Sequence, residues 1–542
     1  MRRWVREQRQ RQHCLQRSEH GSRYRQPVGL RLHNADENHA SVVIIRHDHC
    51  PRKESPADVV CVQNWEIEMR HSTYLRCIRA IASVSVAIML VVATGASMAA
   101  QSQRTFVASY GSDASANCNL AAPCRSFNAA IAQTSGGGEV VILDTAGYGP
   151  MVINKSIKII GPSGVYGGIS VQGGVSGITT GIVINAGDTD EVTLRGLDVS
   201  GVPSALGPFP NIGIDVQNAA AVHIEKSSIG NFTQDTSACL NVAVAKTTRV
   251  YLIDSFVREC NVGISANGTA IPANRASVIV DNTRIERGTN TGALGTTIGV
   301  HAQGYMDVSL RNSMISRESV GILFDNLPAS NTSHVEVINS ELTRNNTALQ
   351  VVNGATGASP QVSIVGSQIF GSTDVMLISN TATGANTWIK VADSYFAYTS
   401  GGGIQFANSA ADNNSRMSLE FVRSQISHIT TTAIDLNATN GNQMTVDMRD
   451  SSMSNANTLV KTSGSGSSLN VSIIRSNLHQ STIAIDHGQG GVQLTSSNIN
   501  YNSNDFVNNG SGNIISDGQN QTYNNTNTSG FTYINPTLNP PR

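Results

Sequence analysis

The chain has 542 residues, of which 5% are aromatic and 14% charged, and its formal net charge is −1. Such a composition excludes an interior built on large aromatic rings and favours stacked small and β-branched residues. The near-neutral balance conceals a gradient: residues 101–542 hold 22 Lys/Arg against 29 Asp/Glu, a net of −7. That surface argues against a nucleic-acid partner, since release of phosphate counterions needs clustered Lys and Arg.

Residues 1–68 are rich in Arg, His and Gln and show neither a helical nor a strand period. They read as upstream sequence that is not translated, with the true start at Met69, or, for a start at Met1, as a disordered leader. Residues 69–100 read as a signal peptide. Arg70, Arg76 and Arg79 supply the positive end, 80–94 (AIASVSVAIMLVVAT) the apolar core, and Ser97-Met98-Ala99 the small-x-small cleavage site, with the cut at Ala99 and Ala100. A chain starting at Met1 has another option. The uncharged run 80–103 is then just long enough to remain as a single-pass anchor.

Export agrees with the cysteines. Cys118, Cys124, Cys239 and Cys260 form an even set beyond residue 100, which in an oxidising compartment predicts two disulfides rather than free buried thiols. The first pair would close a short loop; the second, about one repeat apart, would join adjacent coils. No Cys/His set has metal-ligand spacing, so neither a metal nor a cofactor is expected.

Residues 101–185 read as an N-terminal cap followed by the first coils. The segment 126–134 (SFNAAIAQT) predicts a short capping helix with Ser126 as N-cap. The apolar runs at 140–143, 151–153 and 157–160 are the first strands.

From about residue 190 a pattern recurs: VTLRGLDV (192–199), VHIEKSSI (222–229), VYLIDSFV (250–257), VIVDNTRI (278–285), VSLRNSMI (308–315), VEVINSEL (335–342), VSIVGSQI (362–369) and IKVADSYF (389–396). Looser copies begin at Met417, Met444, Val471 and Val492. The position of Ser255 returns as Thr283, Ser313, Ser340, Ser367, Ser394, Ser424, Ser451, Ser476 and Ser497. Each copy holds three short segments alternating with period two, hence three strands with one face inward. One copy cannot bury its apolar stripe; stacked copies can, about 4.8 Å apart. A leucine-rich repeat has a similar period but needs dominant Leu and a helical stretch, and neither is present. The expected fold is all-β, a right-handed parallel β-helix of about twelve coils over 186–510, with Asn282, Asn312 and Asn339 stacked beside the Ser/Thr column. Residues 511–542, rich in Asn, Thr, Gly and Pro, are expected to form an irregular tail.

The segments RTFVASYGSDASANC, PCRSFNAAIAQTSGGGEVVILDTAGYGP and INKSIKIIGPSGVYGGI resemble the N-terminal region of pectin-lyase-like proteins in the right-handed parallel β-helix superfamily. With the repeats, the resemblance covers most of residues 104–510. It implies the fold; it does not choose a function, because the superfamily includes lyases, hydrolases, epimerases, tailspikes and adhesins. The family's catalytic signatures do not carry over. Ala484-Ile485-Asp486-His487 matches a lyase strand motif only in part, and the hydrolase, epimerase and calcium-repeat signatures are absent.

The densest outward charge lies on the coils at 254–344, in Asp254, Arg258, Glu259, Asp281, Arg284, Glu286, Arg287, Arg311, Arg317, Glu318, Glu341 and Arg344. Glu259, Arg287, Arg317 and Arg344 share one repeat offset. Such a stripe suits a chain of acidic sugars, with guanidinium forks on carboxylates; paired acids there also suit glycosidic hydrolysis. A solvated, salt-bridged face has the same appearance. His223 and Tyr251 share an outward column on adjacent coils. Asp435 and Asp486 share another, but calcium wants six to eight oxygens. His487 reads as a turn residue. The expectation is a secreted, noncatalytic protein that binds extracellular or cell-surface polysaccharide. The alternatives are a polysaccharide lyase or glycoside hydrolase acting on an acidic polymer, and a membrane-anchored rod.

Overall fold

A computed structural model describes residues 101–172, 179–202, 209–269, 271–289, 295–410, 414–465, 468–510 and 513–527, all within the compact unit Ser97–Arg542. The leader, the signal segment with its cleavage at Ala99 and Ala100, and the end of the tail lie outside these residues. No helix among the described residues is long and apolar enough to cross a membrane.

The described residues begin with a strand, Ser102–Val107, and a helix, Phe127–Gln133. Ser126 caps that helix, its hydroxyl accepting from the Ala129 amide. Phe127, Ala130 and Ile131 are buried and close the first coil. Beyond it the chain winds as a parallel β-solenoid of about 13 turns. Each turn contributes to three faces. The first is a 16-stranded sheet with strands in chain order, for example Arg249–Ile253, Ala276–Asp281 and Met306–Arg311. The second contains Phe256–Cys260, Arg284–Glu286, Met314–Ser316 and Glu341–Thr343. The third contains Val262–Asn267, Ile298–Gln303 and Val320–Asp325. Among the described residues the strands pair in parallel, coil to coil; Val250, Val278 and Val308, for instance, stand in register, and the antiparallel contacts are isolated bridges at Asn119–Ala122 and Thr269–Tyr305. Inward positions carry mostly Val, Ile and Leu, with Phe324, Phe396 and Phe421 also fully buried.

Between the first and second faces the backbone turns at a residue with φ between 46° and 52°: Lys226, Asp254, Asn282, Asn312, Asn339, Asp393, Arg423, Asp450, Arg475 and Ser496. Glycine takes the same place at 196 and 366. A left-handed residue costs energy unless it is glycine, least for Asn and Asp. The next residue offsets that cost. Its amide donates to the hydroxyl of the equivalent Ser or Thr one coil on, at 3.0–3.2 Å from Ser227 to Ser497. The hydroxyl in turn donates to a carbonyl two residues back, as Ser255 does to Ile253 and Ser394 to Ala392. Asn282 and Asn312 do not pair with each other. Their amides reach back one coil to Asp254 and Asp281, at 2.7 and 2.9 Å.

Two expectations are corrected. The stack continues past residue 510 with strands Asn513–Ser516 and Gln521–Tyr523. There Asn520 replaces the ladder serine, its Oδ1 accepting from the Ser497 amide at 2.7 Å; an amide side chain supplies the acceptor that composition alone assigned to a tail. His487 ends the strand Ile483–His487, fully buried, with Nδ1 3.0 Å from the Thr462 hydroxyl. It faces inward because it stands in register with Thr462 on the third face.

The ladder predicts a specific cost. Ser367 is buried and its Oγ accepts from the Ser340 amide at 3.1 Å. Ser367→Ala strands that amide, and chemical denaturation should show a loss of roughly 1–3 kcal/mol. Ser363→Ala, on the outward side of the neighbouring strand, should change stability by less than about 0.5 kcal/mol.

Candidate functional site: a groove along the first turn

The left-handed turn column and the first outward residue of each second-face strand form the two banks of a groove along the coils. It encloses about 1230 Å³ and runs from Val165 and Tyr166 to Asn339 and Glu341. Its floor is the Ser/Thr ladder. One bank carries Lys226, Asp254, Asn282, Asn312 and Asn339; the other carries Asp198, Ser228, Phe256, Arg284, Met314 and Glu341. The second bank is one register column, Phe256 opposite Arg284, Arg284 opposite Met314, and Met314 opposite Glu341. The groove is therefore a product of repetition: a turn of fixed geometry places one outward side chain every ~4.8 Å. Tyr166 is 46% exposed and its hydroxyl lies 3.4 Å from Asp198; partial burial, and then that carboxylate, push the phenol up from its usual range.

A smaller cleft of about 320 Å³ adjoins this groove on the second face. It brings together Arg284, Glu286, Arg317, Glu341 and Arg344, with Phe370 at one side. Five residues of the charged stripe thus converge. Arg284 holds Glu286 at 2.8 Å. Arg317, Arg344 and Glu341 have no ion-pair partner among the described residues, and Arg317, Arg344 and Glu341 are exposed. Arg258 and Glu259 do not line the cleft, though Arg258 stands in register with Glu286, and they approach each other at 3.9 Å; the Arg258 guanidinium sits 5.9 Å from the Phe256 ring. Arg287 is exposed. Glu259, Arg287, Arg317 and Arg344 share the second left-handed turn, at φ of 54°, 61°, 62° and 57°, which explains their common offset and their outward direction.

Glu318 departs from the stripe. It follows the left-handed residue, points inward and is 4% exposed. Its Oε1 accepts from the Gly288 amide at 3.0 Å, while its own amide donates to Asn345 Oδ1 at 3.0 Å. The longer side chain fills the space that Gly288 leaves on the preceding coil, where a Cβ would collide with Oε2. Oε2 has no hydrogen-bond partner. Burial pushes the carboxyl up to about 8, against smaller opposing effects of the Thr297 hydroxyl and the Gly288 amide. The carboxyl in this region with the acidity of a general acid is therefore sealed inside the coil.

Sequence reasoning missed a second charged series on the first turn. Arg423 makes two 2.7 Å bonds to Asp393, and Arg475 bonds Asp450 at 2.7 and 2.8 Å. Asp393, Arg423, Asp450 and Arg475 succeed one another coil by coil and edge an open depression of about 730 Å³. Hydrogen bonding to the guanidinium lowers both carboxyls. The signal was present as alternating charge immediately before each ladder serine. His223 and Tyr251 do stack, with ring centres 4.7 Å apart and planes 5° from parallel. Asp435 and Asp486 share a column, but Lys461 stands between them in register, and burial raises Asp435. No cluster of His, Cys, Asp or Glu among the described residues could hold a metal. Both expected disulfides form: Cys118–Cys124 in the cap and Cys239–Cys260 between the third and second faces, with Cα separations of 4.9 and 5.9 Å.

No protein-family model matches the chain, and no curated protein matches it. Solved structures similar in part include the following two. One is the pectate lyase Pel9A, 14% identical with a TM-score of 0.29, over 58% of this chain and 78% of that one. The other is a GH136 lacto-N-biosidase from Eubacterium ramulus, 8% identical with a TM-score of 0.26, over 78% and 68%.

The buried acid predicts a pH dependence. The folded chain holds the Glu318 proton up to about pH 8, whereas the unfolded carboxyl ionises near 4.5. Stability from this group is therefore greatest below about pH 4.5, falls as the pH rises through that window, and levels off above 8. The loss is on the order of several kcal/mol. Glu318→Gln should flatten this part of the curve. Denaturation midpoints at pH 4.5 and 8.5 check it; parallel curves for the two proteins would contradict the assignment.

Proposed function

We propose that this is an exported, noncatalytic β-helix protein that binds an acidic polysaccharide along the first-turn groove and the adjoining arginine cleft. The observation that carries this reading is the convergence of Arg284, Arg317 and Arg344 beside an open groove, with two of the three guanidiniums free of any ion pair among the described residues. Guanidinium forks match carboxylates in geometry and charge, and partly exposed rings at Tyr166 and Phe256 offer flat apolar surface at intervals along the same groove. Export is supported by the signal-like segment before residue 101 and by the two disulfides, which persist in oxidising compartments.

A second reading, a lyase or hydrolase on the same polymer, is favoured by Glu341, an exposed acid beside Arg317 and Arg344. Against it, Glu286 is engaged by Arg284 and Glu318 is buried, so among the described residues no second free acid lines the cleft with Glu341.

Titration of the full chain with polygalacturonate, followed by calorimetry, should show binding that weakens with salt. Arg317→Ala and Arg344→Ala should each lower affinity about tenfold, equivalent to ~1.4 kcal/mol, and leave folding intact because both side chains are exposed. Prolonged incubation should release neither new reducing ends nor unsaturated products. Turnover abolished by Glu341→Gln would establish the enzymatic reading instead.

A further inference from the structure

A second surface, on the first face and away from the arginine cleft, is organised around an exposed aromatic ring. Trp388 lies on the strand Asn386–Ala392 and is 49% exposed. It is the only tryptophan in residues 101–542. Tryptophan is large and is highly buried on average, and the outward positions around it are polar. Gln361 and Ser418 flank it in register, one coil to each side. Two residues along the same strands, Ser363, Lys390 and Glu420 form a second row, also in register. Together with His334 these side chains line a depression of about 370 Å³.

The two rows make a grid: an amide, an indole and a hydroxyl above a hydroxyl, an ammonium and a carboxylate. The indole presents an apolar plate, and the groups around it offer donors and acceptors at coil spacing, about 4.8 Å. Lys390 and Glu420 pair at 3.5 Å, so the grid carries no net charge. A flat apolar plate ringed by neutral hydrogen-bonding capacity matches one ligand chemistry, the pyranose ring of an uncharged sugar, whose C–H face packs on the indole while its hydroxyls meet the polar rim. Among the described residues lining this depression the one ammonium, Lys390, is paired with Glu420, whereas the arginine cleft holds two guanidiniums without an ion pair.

We infer that Trp388 is the stacking platform of a separate contact site for neutral sugar, formed with Gln361, Ser363, Lys390 and Glu420. The site is independent of the acidic-polymer reading. On a polymer that reaches both surfaces it adds to retention through multivalency.

Tryptophan emission tests the inference directly. A full-length chain carrying Trp4→Phe and Trp65→Phe leaves Trp388 as the sole reporter. Six-sugar gluco-, galacto- and xylo-oligosaccharides and an oligogalacturonate are the probes. The expected result is a saturable shift in emission with at least one neutral oligosaccharide and none with the oligogalacturonate. Calorimetric binding of that neutral ligand should fall at least tenfold in Trp388→Ala and be largely retained in Trp388→Phe, which keeps a flat ring and serves as the control for folding. The emission shift should persist in Arg317→Ala, whose effect is confined to the arginine cleft. Absence of any shift with every neutral probe, or neutral-sugar binding unchanged by Trp388→Ala, overturns the site. A shift with the oligogalacturonate alone overturns the neutral assignment.

Discussion

An amide on one coil donates to a hydroxyl on the next, and the same hydroxyl donates its own hydrogen to a carbonyl of its own turn. This buried exchange, repeated from Ser227 to Ser497, is what the rest of the molecule depends on. A left-handed residue at every first turn costs on the order of 1 kcal/mol or more unless it is glycine, and the turn would otherwise leave its next amide buried without a partner. A small side chain with one donor and two lone pairs answers both needs. Asn520 fills the same role through its side-chain amide, whereas an apolar residue would leave the amide stranded.

Fixing the turn fixes everything outside it. Because the left-handed residue always points outward, its identity is free to vary, and the column reads Lys226, Asp254, Asn282, Asn312, Asn339 on the groove side and Asp393, Arg423, Asp450, Arg475 farther along. The first set leaves an open, mixed polar bank. The second closes on itself in bidentate pairs. A one-coil slip in that series would place like charges opposite each other, so the pairs favour the observed register. The same scaffold thus supplies both an open polar groove and a surface satisfied internally, and the difference lies in a few side chains rather than in the backbone.

The second turn shows the limit of reading such columns from spacing. Glu318 looked like a member of the charged stripe because it adjoins Arg317. The left-handed geometry of Arg317 sends the next side chain inward, to a position that is Asn345 and Ser372 on the following coils and joins a hydrogen-bonded series of its own. Only a neighbouring glycine makes room for a carboxyl there, and Gly288 supplies it. The strands, the parallel stack, the capping helix and the two disulfides were legible because each rests on a short-range pattern repeated many times. The groove was not, because it arises between two columns that belong to different elements and are separated by the turn serine. The tail was misread for a related reason: Asn520 and Asn525 perform the serine's task, donating to the Leu494 and Ile499 carbonyls, and composition does not distinguish an amide inside a coil from one in an irregular segment. Asp435 and Asp486 were rightly paired by offset, but the intervening Lys461 changes what the pair can hold.

Amide hydrogen exchange in the native state reads the ladder most directly. If the turn amides of Ser313, Ser340, Ser367, Ser394 and Ser424 are held by hydroxyls one coil on, they should exchange as slowly as the strand amides of Val337 and Ile364, through the same large-scale opening. Exchange at the rate of solvent-exposed turns, with the strand amides still protected, would show that the hydroxyls do not bind them and would contradict the account.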